Sequence, residues 1–323
     1  SDRTGVAQFL SCDFPMEQRT LIDGVSLVPP GVVAGVEPSG LRAEQYWDLT
    51  PGPDLEAEGR TRTVERLAEA IERAVARQSE TSVPLGLPLS AGTDSRLLGA
   101  GLSAAGVSFE ALTFGEDGSL DRRHARRVAR HLEVPHREVS EQLDPASPEI
   151  RRLVILLDGM SHLRHLHAAQ MLGPLGDLFG VVLDGFGGAS ITGGLTRRRD
   201  AGRGVDADFP RALFRTAFYH AGFLPPELVR LGLAPDPVAA EESLIGPVRR
   251  RVEGCPGPDA AWCADYVRLT EWHRRLHLQG NVMLRSRVEV RTPLYDYDLL
   301  DLAMSMPTRW RAERDAFHRA LAV

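Results

Sequence analysis

Apolar side chains at Val64, Leu67, Ala68, Ile71 and Val75 recur at the three-and-four spacing of one helix face, with charged residues between them. The spacing predicts a helix over 63–77. Beyond it the period changes repeatedly. Residues 83–89 form an apolar run that reads as a strand, although Pro84 and Pro88 fit poorly in a central one. Helix is expected over 96–105, strand over 107–114, helix over 121–132 with Asp121 as N-cap, and strand over 136–139. Helices at 147–157 and 162–172 precede a short buried strand at 181–183. From about residue 205 the pattern is helical, broken at Leu224-Pro225-Pro226 and at Cys255-Pro256-Gly257-Pro258. The longest helix is expected over 259–284. Residues 291–296 read as a turn, with Asp296 capping a helix over 299–305.

Strands alternating with helices predict an α/β fold, a parallel sheet with helices on both faces, followed by a C-terminal helical lobe. Ligands of such sheets bind at the carboxyl ends of the strands. Three strand ends are rich in small residues, at 90–95, 114–119 and 184–188, and should converge on one crevice. The first 60 residues are turn-rich (Val28-Pro29-Pro30-Gly31, Thr50-Pro51-Gly52-Pro53) and read as a few strands or an extended arm. The expected organisation is therefore an arm over 1–60 and one domain over 61–323. Within that domain the α/β core spans about 80–200 and the helical part about 205–323.

Residues 89–95 read Leu-Ser-Ala-Gly-Thr-Asp-Ser. A strand, a tight small-residue loop and a helix start point several backbone N–H groups at one spot, which suits phosphate. Ser90 and Ser95 add hydroxyls. Asp94 adds a carboxylate, which beside phosphates is commonly a Mg²⁺ ligand. The loop lacks both the Gly-Lys-Ser/Thr ending and the Gly-x-Gly-x-x-Gly of commoner nucleotide loops. The plain alternative is a capped strand-to-helix turn.

Composition narrows the field. Of 323 residues, 43% are hydrophobic and 25% charged, enough for an ordinary core. A net charge of −6 argues against a general nucleic-acid binder, despite the local cluster Arg197-Arg198-Arg199. No apolar run reaches membrane-spanning length. Cys12, Cys255 and Cys263 match no zinc or disulfide framework, so a cytoplasmic location is expected. His162, His165 and His167 cluster, and His273 with His277 has the spacing of a metal pair. No third ligand stands out, and surface or hydrogen-bonded structural histidines are expected. All 38 basic residues are arginine. GC-rich coding explains this, and so does the loss of modified lysines from the chain as written.

Four separated segments resemble one family, the asparagine synthetase-like amide ligases, with β-lactam synthetases and lasso-peptide cyclases among its relatives. Residues 20–48 resemble the junction before the family's synthetase domain. Residues 89–95 resemble the Ser-Gly-Gly-x-Asp-Ser loop of N-type ATP pyrophosphatases, with Ala91 for the first glycine. Residues 113–130 resemble the second nucleotide-binding segment, and 285–307 (Arg-Ser-Arg-Val-Glu-Val-Arg-Thr-Pro-Leu-Tyr-Asp … Met-Pro) the closing one. The resemblance implies an adenine nucleotide α-hydrolase-like fold and the use of ATP and Mg²⁺. It also implies a small-molecule or peptide carboxylate activated as an acyl-adenylate and captured by an amine or ammonia. Ser90, Gly92, Thr93, Asp94 and Ser95 would hold pyrophosphate, with Asp94 on the metal. Leu89, Phe114 and Gly115 would flank adenosine, and Asp184 and Gly185 would contact adenine or ribose. Phe186 and Gly187 would lie on the substrate side. Asp94, Ser95 and Glu289 are the candidate catalytic residues, Glu289 also reading as a structural partner of Arg291.

Three departures matter. Where the asparagine-forming members carry Gly-Glu-Gly-x-Asp-Glu, this chain has Gly185-Phe186-Gly187-Gly188-Ala189-Ser190. Phe186 replaces a proton-exchanging side chain and argues against aspartate as substrate, and Ala189 replaces a second metal carboxylate. The family's lysine near the domain end has no counterpart in the tail 314–319. Either a lysine is lost between Asp315 and Ala316, or Arg314 or Arg319 serves as a fixed cation. Finally, no glutaminase with an N-terminal cysteine is legible, so a separate glutaminase or a homodimer is a candidate partner. The rival expectation is a catalytically impaired nucleotide-binding homologue that acts as a partner protein.

Overall fold

The computed structural model describes residues 1–53, 55–140, 147–188, 201–218 and 222–320. Ala189, Ser190 and the arginines at 197–199 lie outside the described residues, as do the side chains of His165 and His167.

The chain opens on a helix the pattern did not reveal, α1 (Arg3–Cys12), capped by the Asp2 carboxylate on the Gly5 amide. It is no loose arm. Gln8 Nε2 donates to the Ser243 carbonyl and Ser11 Oγ to the Phe223 carbonyl, fastening it to the helical lobe. Strands β1 (Val32–Glu37) and β2 (Gly40–Gln45) then form an antiparallel hairpin, nearly all of it exposed.

Helix α2 (Arg60–Ser79) begins three residues earlier than the spacing predicts. After it come β3 (Leu85–Pro88), α3 (Thr93–Ala104), β4 (Glu110–Phe114), α4 (Leu120–His131) and β5 (His136–Val139). Pro84 lies before β3 and Pro88 is its last residue, positions where a missing N–H is tolerated. Ser119, not Asp121, caps α4; Asp121 lies inside the first turn. Helix α5 (Pro148–Leu156), a 3₁₀ stretch (Leu163–Met171) and α6 (Leu172–Leu178) lead to β6 (Val181–Leu183). The last strand, β7 (Glu289–Arg291), falls partly where a turn was expected.

The sheet order is β5-β4-β3-β6-β7, every neighbouring pair parallel. Alternation across the strands divides the core, as the pleat requires. Leu87, Ala111, Val181 and Leu183 face a cluster with α2, α3 and α4. Leu112, Val182 and Val290 face a second cluster with α5 and α6. From β3 the chain runs outward to β4 and β5, then returns to place β6 on the other side of β3. The β3–β6 boundary is therefore a topological switch point, where connections diverge and leave a crevice.

In the helical lobe, the stretch predicted over 259–284 is α-helical at Ala260–Val267, widens to a π-helix at Arg268–His277, and resumes at Leu278–Leu284. Cys255 and Cys263 form a disulfide, their Cα atoms 5.8 Å apart. This corrects the reading of unpaired cysteines: the Pro-Gly-Pro turn folds Cys255 back onto the first turn of the helix carrying Cys263. Among the described residues no helix is long and apolar enough to cross a membrane.

Candidate active site

The loop after β3 is held from inside. The Ser90 amide donates to Ser95 Oγ (3.1 Å), the two hydroxyls lie 3.0 Å apart, and the Gly92 amide donates to Ser90 Oγ (3.1 Å). The Ala91 amide donates to Asp121 Oδ1 at 2.7 Å, tying the loop to the start of α4. Leu89 is buried, its amide on the Leu112 carbonyl of β4. No side chain caps α3 at Gly92. The first amides of a helix, left without such a cap, are ready donors for an anion.

Directly across the switch point lies the loop after β6. A Cβ on Gly185 would stand 3.0 Å from the Ser95 nitrogen and 3.2 Å from Asp94 Cβ. Gly185 thus packs on the phosphate-type turn itself. A Cβ on Gly188 would run into the Asp94 carboxylate. Asp184 is anchored by its amide on the Arg291 carbonyl (2.8 Å), and its Oδ1 accepts the Phe186 amide (2.8 Å). Burial pushes the Asp184 carboxyl above the usual carboxylate range, the Phe186 amide pulling the other way. Gly187 has φ of +88° and a Cβ there would enter the Tyr295 ring. Gly187→Ala is expected to cost about 1–3 kcal/mol, measured as a lower urea midpoint.

Three other predicted residues are placed differently. Phe114 and Gly115 (φ +127°) end β4, one strand away from the crevice. Glu289 pairs in register with Val181, two residues short of the carboxyl end of β6, and is exposed. Its Oε1 accepts Arg291 Nε at 2.7 Å, while Arg291 Nη1 donates to the Gln78 and Glu80 carbonyls. Glu289 is a structural partner here, apart from the group around Asp94.

Of the two tail arginines, Arg314 reaches the site. Its Nη2 donates to Asp94 Oδ1, and its guanidinium lies 4.5 Å above the Phe317 ring. Arg319 instead bonds Asp315 one turn back (3.2 Å). Glu313 and Arg314 both adopt left-handed backbone, φ of 59° and 62°, uncommon for non-glycine residues and the means by which the chain aims Arg314 inward.

Beside Asp184–Gly185 stands an aromatic group. Phe186 stacks on Tyr295 (5.3 Å between centroids) and meets His273 at a tilt of 49° (5.5 Å). His273 is buried, not a surface histidine, and desolvation lowers its pKa from 6.5 to about 3. Protonation therefore favours the unfolded chain: the contribution is intact above about pH 6.5 and fades as pH falls toward 3. Between pH 7 and pH 5 it should cost about 2 kcal/mol. Urea midpoints at the two pH values should differ less in His273→Phe.

Among the described residues no group of three His, Cys, Asp or Glu side chains is placed to hold a metal ion. Mg²⁺ seldom needs one, since one or two carboxylates plus nucleotide phosphates suffice. Asp94 is the one carboxylate of the loop, at the mouth of an uncapped helix.

Residues 66–321 match the sequence profile of a family described as asparagine synthase. That is most of the chain. The chain belongs to the asparagine synthase family. A curated relative, the carboxyethyl-arginine β-lactam synthase of Streptomyces clavuligerus, is 32% identical over 120 residues, 37% of this chain and 23% of the relative. The match thus spans about a quarter of that relative's length. The parallel sheet and its switch-point crevice accord with family membership. The meeting of His273 and Tyr295 at Phe186 was not legible, the spacing having singled out His273 only as one of a pair with His277: nothing in the periodicity brings a π-helical stretch and a 3₁₀ turn, Pro293–Tyr295, to that ring.

Proposed function

We propose that this chain is the carboxylate-activating unit of an ATP-dependent amide-forming ligase. One observation carries the reading. An uncapped helix N-terminus, two hydroxyls and the Asp94–Arg314 pair share the crevice at the sheet's switch point.

In this reading a substrate carboxylate oxygen bonds to the α-phosphorus of ATP, the bond to the bridging oxygen breaks, and pyrophosphate leaves. An amine nitrogen then attacks the acyl carbon, loses a proton and expels AMP. The α3 amides, Ser90 and Ser95 bind the departing phosphates. Arg314 supplies a permanent positive charge beside them, and such preorganised charge is worth most where charge develops. Asp94 orients Arg314 and would hold Mg²⁺, which supplies further neutralisation of pyrophosphate. Asp184 and Gly185, beside the phosphate turn, would form the nucleoside side, with Phe114 and Gly115 reaching it only from the neighbouring strand and Leu89 supporting the loop from the core. The amine is the substrate's own, or ammonia from a separate glutaminase.

Phe186, unable to exchange a proton, favours a second reading, a nucleotide-binding homologue without turnover. Mixing the protein with ATP, Mg²⁺ and a carboxylate panel separates the two. The ligase reading expects carboxylate-dependent pyrophosphate release. ATP binding without release from any acid would overturn it in favour of the second.

A further inference from the structure

In the adenylating reading the acyl group lies beside the phosphate turn, and Phe186 directly follows Gly185, the residue packed on that turn. Its ring is partly buried, 21° from parallel with Tyr295. His273 and Tyr295 are themselves 6.4 Å apart and 29° from parallel, and Phe186 is tilted 49° to His273, so the three rings adjoin as one contiguous wall. The wall is assembled from three remote elements: the β6 loop, the 3₁₀ turn and the π-helical stretch. Gly187 is the residue that admits the Tyr295 ring. Trp272 and His277 back it, each edge-on to His273.

We propose that this wall is the acyl-side specificity surface of the site, built for a carboxylic acid whose side chain carries a flat aromatic ring. The inference rests on the adenylating reading above and names its substrate class. Rings stack on rings in offset geometry with a gain that an aliphatic chain does not obtain. The wall offers no charge near neutrality, because burial keeps His273 neutral and pushes the Tyr295 hydroxyl up. A second carboxylate, as in an acidic amino acid, would lose its hydration there without recompense. The Tyr295 hydroxyl is buried and has no hydrogen-bond partner among the described residues. Such a group calls for a partner, and a polar substituent on the bound ring supplies one.

The test is calorimetric titration of the full chain, loaded with a non-hydrolysable ATP analogue, using 4-hydroxyphenylacetate, hexanoate and succinate. The aryl acid is expected to bind at least about 10-fold more tightly than either other acid, a difference of about 1.4 kcal/mol. Tyr295→Leu and Phe186→Leu, each checked for fold by circular dichroism, should each reduce that preference at least threefold. Equal binding of hexanoate or succinate, no binding of the aryl acid, or a preference that survives both substitutions overturns the proposal. Pyrophosphate exchange on the same panel separates it from the ligase reading. Exchange fastest with succinate sinks the ring site and leaves the ligase. Aryl preference in binding without exchange from any acid leaves the ring site and sinks the ligase.

Discussion

Asp94→Asn is expected to lower carboxylate-dependent pyrophosphate exchange roughly 10²–10³-fold, the usual effect of removing one preorganised electrostatic group from an active site. The substitution keeps the shape. The Asp94 carboxylate is wedged between Arg314 and the glycines of the β6 loop, and an isosteric amide fits the same space. What disappears is the negative charge that positions Arg314, whose side chain is 16% exposed. Arg314→Gln removes the other half. If the two act as one device, the double variant should be little worse than the poorer single one, because coupled groups are non-additive. An Asp94→Asn enzyme within threefold of the parent would remove this turn from the chemistry.

The largest loss of stability is expected from Asp265→Ala, about 3–5 kcal/mol by urea titration. Arg311 is fully buried, its Nη1 2.8 Å from Asp265 Oδ2. Arg268 Nη1 lies 3.4 Å from Asp265 Oδ1. Without the carboxylate a guanidinium is left in the core with its charge uncompensated. Arg311→Met should cost less, since Asp265 keeps Arg268 as a partner. The pair also bears on the site. Arg311 lies three residues before Arg314, so Asp265→Ala should raise the KM for ATP as well as lower stability.

Long periodic elements were legible in the chain; short and remote ones were not. Among the short strands, β6 is an apolar run, Val-Val-Leu, and fell in the expected range, as did β5, although its His-Arg-Glu-Val carries no such run. Strand β7 did not, because Glu-Val-Arg is too short to display a period and its partner β6 lies a hundred residues away. Asp121 read as a cap because Asp suits that position, but Ser119 takes it and frees Asp121 to hold Ala91. The loop 89–95 was readable from local chemistry: small residues, hydroxyls and one carboxylate after a strand. The choice of Arg314 over Arg319 was not, since it turns on two left-handed backbone residues. The Cys255–Cys263 bond likewise depends on a turn that no spacing rule anticipates.

Asp94 and Arg314 are separated by 220 positions along the chain. During synthesis the first emerges from the ribosome long before the second. A nascent chain can thus build the crevice and its helix mouth, yet lack the charge that completes it. Nucleotide binding in the proposed manner therefore awaits Arg314, and a chain that ends between β7 and Arg314 should lack a working site.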